Sequence, residues 1–237
     1  IKNKLLKHSD DLEKVYLDDL PFGKKEFLKR RLIETLMMHY PGKYTIESLE
    51  DLLVGKVYVF QKERVRILRF ARDMALLFNA CGKLKRPHIA FNIAFSEKKD
   101  KISDEILKIY DRYRAFISNA LRQVDTKAEY RGRIMVYDGR GELTEELAST
   151  IASVLAASFS TKASVVIVLA DSVGDITKLS IRRTISSKVK NIGEIVKNIV
   201  SKLAEATGGG HEAAAGAYVR STGVETFLET LRKLVEE

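Results

Sequence analysis

The sequence predicts an α/β protein, in which strands and helices alternate along the chain and pack in layers. Two observations in the second half lead to this prediction. The uninterrupted β-branched run at 165–170 is typical of a strand that is covered on both faces. Segments with apolar residues at helical spacing stand before and after it, so helices are expected between the strands.

The first half is predicted to be mostly helical. Residues 10–40 carry an apolar stripe with interleaved lysines and arginines, and Pro41-Gly42 ends it. Thr45 and Ser48 provide helix-start chemistry for a short helix that ends at Leu53. Further helices are predicted over 65–81 and 103–121. The run 57–60 predicts a short buried strand, whereas 88–95 alternates as a strand does but is too short to exclude a helix.

The second half predicts the alternating elements. A polar stretch at 123–132 marks the main boundary, between a mostly helical region over 1–126 and an α/β domain over 127–237. Along 176–185, Leu179 and Ile181 face one way, and Lys178, Ser180 and Arg182 face the other. Strands are predicted at 134–137, 165–170, 176–185 and 216–220, and helices at 143–155, 192–203 and 224–235.

Composition limits the class of protein. With 237 residues, of which 45% are hydrophobic, the chain can build a core, so wholesale disorder is excluded. We expect no transmembrane helix, because no run of about 18 apolar residues occurs. No secretory leader opens the chain, and the single cysteine, Cys81, excludes an internal disulfide framework and a thiolate zinc site. These features favour a cytoplasmic protein.

The charge balance suggests a polyanionic partner. The chain has 41 Lys and Arg against 32 Asp and Glu, a formal net charge of +9. A basic surface attracts nucleic acid. A Lys- and Glu-rich surface with some excess of lysine also fits a protein from a hot environment, so charge alone leaves both interpretations open.

The most specific motif is Gly208-Gly209-Gly210-His211, which small residues follow as far as Gly216. Three glycines leave the backbone free to adopt positive φ and to approach a ligand closely. Successive N–H groups in such a turn can form a concave nest for an anion, with the His211 side chain as a further donor. The alternatives for three glycines alone are a flexible linker or the end of a helix.

This segment resembles the GGGH-x-x-A-A-G signature of the DHH-associated domain, the second half of DHH-superfamily phosphoesterases and of RecJ-type single-strand nucleases. Ser180-Ile181-Arg182 resembles the S-x-R strand of the same family. The resemblance implies a mixed sheet with flanking helices, and contacts between these residues and a phosphate or nucleic-acid backbone. The residues carried over are Ser180, Arg182, Gly208, Gly209, Gly210 and His211.

A second, softer resemblance lies in the first half. Phe78-Asn79-Ala80-Cys81-Gly82-Lys83 is similar to the L-N-A-x-G-R segment near the end of a RecJ catalytic domain. It implies phosphate contacts by Asn79 and Lys83, although the family has Arg where Lys83 stands, and the two are not equivalent at a bidentate contact. For Asn79, an ordinary position near a helix end is the alternative.

The catalytic ligands of that superfamily are not recognisable in the sequence. DHH enzymes hold two divalent metals with clustered Asp and His side chains, whereas His8, His39, His88 and His211 stand apart from one another and from Asp. The pairs Asp10-Asp11 and Asp18-Asp19 have no His neighbour in the sequence. We therefore expect no catalytic residues and no cofactor, with Mn or Mg implied only if the chain continues into an N-terminal half.

The resemblance implies a non-catalytic, archaeal RecJ-like factor of DNA replication, similar to cell division cycle protein 45. Such a factor binds single-stranded nucleic acid, the GINS complex, or both, within the MCM helicase assembly, in the cytoplasm at the nucleoid and without a membrane. The alternative is the C-terminal substrate-binding half of a DHH-family single-strand exonuclease or phosphodiesterase, since the chain starts at Ile1 rather than Met. An alanyl-tRNA-type editing module is disfavoured, because its zinc ligands are missing.

Overall fold

The computed structural model describes residues 20–96, 100–159 and 162–236. The chain divides into two compact units, Ile1–Phe60 and Gln61–Glu237. The change in sequence character at 126/127 stays a prediction of a domain boundary.

The described part of the first unit is a pair of helices, α1 (Phe22–His39) and α2 (Ile46–Leu53). Their buried residues are Ile33 and Leu49. The start of α2 follows the sequence prediction, because the Thr45 side chain accepts from the Ser48 N–H and the Ser48 side chain accepts from the Thr45 N–H.

The predicted strand at 57–60 is wrong. Val59 takes part in an isolated β-bridge, but the four residues form no strand, and Val57 and Tyr58 are about two-thirds exposed. β-branched and aromatic residues favour a strand only where a neighbouring strand and a buried face are available. The described part of the chain provides neither at this position.

The second unit begins with the helices that the first-half periodicity predicts. Residues 88–95, for which the sequence did not decide between strand and helix, are helical. Pro87 starts the helix, and Ile89 and Ile93 fall on its buried face. Leu77, Cys81 and Ile106 share that core. The helices are α3 (Arg66–Arg69), α4 (Ala71–Lys83), α5 (Pro87–Phe95), α6 (Asp100–Arg122) and α7 (Val124–Lys127).

A six-stranded mixed sheet follows, which confirms the predicted α/β class. The strand order is β1-β2-β3-β4-β6-β5. β2 and β3 are parallel and are connected through α8 (Glu145–Ser158), while the other neighbouring strands are antiparallel. The strands are β1 (Ala128–Arg131), β2 (Ile134–Asp138), β3 (Val165–Asp171), β4 (Ile176–Arg183), β5 (Ala206–Gly210) and β6 (Ala214–Arg220).

Helices cover both faces of the sheet. On one face, α9 (Ile192–Val200) and α10 (Val224–Glu236) bury the largest core. On the other, α8 packs on β3 and β4. Among the described residues, no helix has both the length and the apolar character that crossing a bilayer requires.

Candidate phosphate-binding site

Alternation along β4 separates an apolar face from a polar one, as the sequence predicts. Leu179 and Ile181 are fully buried in the core beneath α9 and α10. Lys178, Ser180 and Arg182 point to the opposite side of the sheet. The neighbouring strand β6 places only small residues opposite Ser180 and Arg182, so the polar side chains border open space.

That space is a cleft of about 260 Å³, named here the β4 cleft. Its walls come from β4, β5 and β6, with one residue from α8. The lining residues are Ser149, Lys178, Ser180, Arg182, Gly209, Gly210, Ala214, Ala215 and Gly216.

Arg182 lies half-buried in this cleft, and neutral atoms hold its guanidinium. Nε donates to Ser153 Oγ at 3.0 Å, and Nη2 donates to the carbonyl of Ser149 at 3.3 Å. Nη1 donates to the carbonyl of Ile181 at 2.9 Å. Among the described residues Arg182 has no carboxylate partner, and burial lowers its pKa. The arginine is therefore oriented, and no described carboxylate neutralises its charge.

Two lysines add to this charge. Lys178 Nζ lies 3.9 Å from the centroid of the Tyr218 ring, and Lys83 Nζ donates to Ser149 Oγ at 2.7 Å. Neither makes an ion pair with a described residue. Burial, and then the charge of Arg182, lowers the pKa of Lys83. The pKa of Lys178 is also lowered, chiefly by burial, although Glu145 opposes the shift.

Ser180 contributes an unpartnered hydroxyl. Its side chain is fully buried, and Oγ has no hydrogen-bond partner among the described residues. A buried polar atom left unpaired costs roughly 1–3 kcal/mol. Because Ser180 lines the β4 cleft together with Lys178 and Arg182, a group with oxygen acceptors bound there would lie next to its hydroxyl and both cations.

The triple glycine does not form the predicted turn or N–H nest. Gly208, Gly209 and Gly210 are part of β5, and none of them has positive φ. The reason for glycine is close packing: a Cβ on Gly208 would lie 2.7 Å from the carbonyl oxygen of Gly216, and one on Gly210 would lie 2.3 Å from that of Ala214. A Cβ on Gly209 would meet no atom within 4 Å.

The turn follows the glycines instead of containing them. His211 is exposed, and its N–H donates to the carbonyl of Ala214 at 2.8 Å. The first N–H groups of α9, from Ile192 and Gly193, donate to the carbonyls of Glu212 and His211. This helix start is therefore occupied by the turn.

The β4 cleft thus brings together part of the predicted set of site residues. Ser180, Arg182, Gly209 and Gly210 line it, and Lys83 is linked to it through Ser149. Gly208 and His211 stand beside it without lining it. Asn79 is exposed and donates to the Tyr113 hydroxyl at 3.3 Å. Its only described side-chain hydrogen bond therefore joins α4 to the neighbouring helix α6 and does not reach the cleft.

Sequence reasoning did not select Lys178 or Ser149 as site residues. The signal for Lys178 was present, because it alternates with Ser180 and Arg182 on the same face of β4. Ser149 carried no signal, since its place depends on how α8 lies across the sheet.

The described residues do not fit the two-metal centre that the resemblance to DHH enzymes implies for a catalytic half. No three His, Cys, Asp or Glu side chains in the described ranges are grouped so that they could hold a metal ion. His8 and the pairs Asp10-Asp11 and Asp18-Asp19 lie outside the described residues.

Comparison with known proteins finds a family similarity in the second half of the chain. Residues 133–237 match the family model of the DHHA1 domain. RecJ from Thermus thermophilus, solved with Mg²⁺, is 14% identical with a TM-score of 0.57, over 89% of this chain and 29% of that chain. A manganese-bound exonuclease RecJ is 16% identical with a TM-score of 0.51, over 93% of this chain and 52% of that chain.

CDC45 from Entamoeba histolytica is 11% identical over 93% of this chain and 46% of that chain, with a TM-score of 0.49. At sequence identities of 14% and 16%, the similarity to the two RecJ structures is a similarity of fold. The chain spans about a third to a half of the RecJ chains it matches. None of the curated proteins matches its sequence.

Proposed function

Since residues 133–237 match the DHHA1 family model and the fold of the chain resembles that of RecJ, we propose that the protein is a non-catalytic RecJ-like factor of DNA replication that binds single-stranded DNA in the β4 cleft. One observation carries the proposal: Lys178 and Arg182 line the cleft beside the unpartnered hydroxyl of Ser180, and Lys83 is linked to it through Ser149. None of these three cations makes an ion pair with a described carboxylate. A half-buried cluster of like charges is favourable only when an anion joins it.

Phosphate is the anion that suits this arrangement. Its oxygens accept hydrogen bonds from a guanidinium, ammonium groups and a hydroxyl at the same time. Gly209 leaves room above β5, because a Cβ there would meet no atom within 4 Å, so a nucleotide backbone has space beside the small residues of the cleft. Contacts of this kind bind the backbone and do not read the sequence of bases.

The proposed partners are the GINS complex and the MCM helicase subunits, in an archaeal cytoplasm at the nucleoid. Exposed apolar side chains on the first unit support a protein partner, since Met38, Leu52, Val57 and Tyr58 are each at least two-thirds exposed. Purification of the untagged protein from its native source tests this part. GINS and MCM in the eluate are expected, and their absence would count against the replication assignment.

Fluorescence anisotropy with labelled oligo-dT tests DNA binding. Arg182→Ala is expected to weaken binding at least tenfold at low salt, because it removes a pre-oriented cation from the cleft. The matched control is Arg220→Ala on β6, since Arg220 is exposed and already pairs with Glu205. Equal affinity of the Arg182 variant and the unchanged protein would refute the site.

The alternative is the substrate-binding half of a longer single-strand exonuclease or phosphodiesterase, which the similarity of fold to the Mg²⁺- and Mn²⁺-bound RecJ structures favours. Incubation of the purified 237-residue chain with labelled single-stranded DNA and Mn²⁺ tests whether these residues cleave DNA by themselves. We expect intact DNA, because the described residues group no metal ligands. Metal-dependent degradation would establish the enzymatic alternative.

A further inference from the structure

A second cavity lies at the other end of the sheet from the β4 cleft. It has a volume of about 410 Å³, within the range of known ligand pockets, and is named here the β1 pocket. Its floor is apolar and reaches the main core through Val136, Leu169, Val224 and Leu228. Charged residues of β1 and of the neighbouring turns surround the opening.

β1 gives this pocket an open backbone edge. The strand is first in the sheet order, and β2 is its only strand neighbour among the described residues. Glu129 and Arg131 are paired with Val136 and Ile134, which face the core of α9 and α10, so both side chains lie on the pocket side of the sheet. An edge with free N–H and C=O groups is a template for an added strand.

The opening lacks the positive excess of the protein as a whole, because its lining has as many carboxylates as cations. Its three cations are already paired: Arg131 with Glu129 and Glu225, Arg140 with Asp138, and Lys127 with Glu142. The carboxylates lie farther out, since the Glu225 and Glu129 side chains are 65% and 55% exposed against 23% for Arg131. Three carboxylates therefore balance three cations along the lining, in a protein of net charge +9, and each carboxylate is more exposed than the arginine it pairs with.

From these features we infer that the β1 pocket binds an extended, basic peptide segment of a partner protein. The peptide backbone pairs with the free edge of β1, and one apolar side chain enters the pocket above Val136 and Leu228. Lys or Arg side chains next to it meet Glu129 and Glu225. Nucleic acid does not suit this surface, because its phosphates would face the exposed carboxylates.

The test uses a fluorescein-labelled probe peptide, Gly-Lys-Leu-Lys-Val-Lys-Leu-Gly, and a control peptide with Glu in place of each Lys. Anisotropy is expected to rise with the lysine peptide and not with the glutamate peptide. The double substitution Glu129→Gln with Glu225→Gln should weaken binding at least tenfold. Glu229→Gln is the matched control, because Glu229 also lies on α10 and is also ion-paired, with Arg232, but does not line the β1 pocket.

Hydrogen exchange locates the peptide and separates this site from the β4 cleft. Bound peptide should protect the amides of 128–131, and excess oligo-dT or Arg182→Ala should leave peptide affinity unchanged. Melting curves of the variants verify that they fold. The inference is overturned if the lysine peptide does not bind, if the double variant binds equally well, if β1 gains no protection, or if oligo-dT displaces the peptide.

Discussion

Lys178 carries a half-buried charge whose closest described partner is the ring of Tyr218, which in turn donates its hydroxyl to Glu145 at 2.8 Å. A cation over an aromatic face contributes about 0.5–2 kcal/mol, which offsets only part of the desolvation of the ammonium group. The charge is therefore better explained by a role in binding an anion than by a contribution to the stability of the free protein.

Replacing Lys178 should separate binding from stability. We expect Lys178→Met to weaken single-stranded DNA binding about tenfold, while the free energy of unfolding falls by less than about 1 kcal/mol, because a poorly paired charge is removed. Anisotropy and urea denaturation measure the two quantities. Lys188→Met, at an exposed-loop lysine outside the cleft, is the control, and a large loss of stability in the Lys178 variant would assign the residue to the fold.

The lowered pKa values of Lys83 and Lys178 predict a pH dependence of binding. Bound phosphate favours the protonated amines, so affinity should fall as pH rises through the pKa values of the free protein, below the ordinary lysine value of about 10.4. The free protein should show the opposite trend. Its stability rises over the same window, since the unfolded chain holds more protons there.

Anisotropy titrations and melting curves between neutral pH and mildly alkaline pH measure both trends. The double substitution Lys83→Gln with Lys178→Gln should flatten the dependence of affinity on pH. An equally steep dependence in that variant would attribute the proton to another group.

At the scale of residues, the sequence predicted which side chains share a face of β4, because alternation along a strand determines that. The period of two along β4 was enough to place Ser180 and Arg182 on one face, and it placed Lys178 there as well. The unpartnered state of Ser180 and the bond from Lys83 to Ser149 could not be predicted, because both depend on contacts between residues far apart in the chain.

At the scale of elements, β5 shows that glycine can serve packing instead of unusual backbone angles. The residues Gly208, Gly209 and Gly210 predicted a turn, because positive φ is the commonest reason for glycine. They form a strand in which Gly208 and Gly210 allow β6 to lie close. Sequence cannot distinguish these two uses of glycine, since the difference lies in the distance to a neighbouring strand.

The two neighbouring glycines of β5 should therefore respond differently to the same substitution. Gly209→Val should fold with nearly unchanged melting temperature but weaken oligo-dT binding, because its side chain would fill the open side of the β4 cleft. Gly210→Val should destabilise the protein by about 2 kcal/mol or more, since its Cβ would meet the backbone of Ala214. Equal effects of the two substitutions on melting and binding would contradict this division of roles.

At the scale of the molecule, the two cavities lie at opposite ends of one sheet and differ in charge. The β4 cleft gathers cations without carboxylates, whereas the β1 pocket pairs every cation of its opening and leaves carboxylates outermost. The net charge of +9 predicted a polyanionic partner but could not locate it. Its location depends on which cations are left without carboxylates after folding.

The salt dependence of binding distinguishes a local site from a general attraction by net charge. Release of about 0.7 counterion per single-strand phosphate contact predicts a slope near −2 for log K against log salt, if three cations of the cleft act. Lys178→Gln should reduce the slope by about 0.7, whereas Lys188→Gln should leave it nearly unchanged. Anisotropy titrations from low to moderate salt measure it. If net charge controlled binding, the two variants would share one slope.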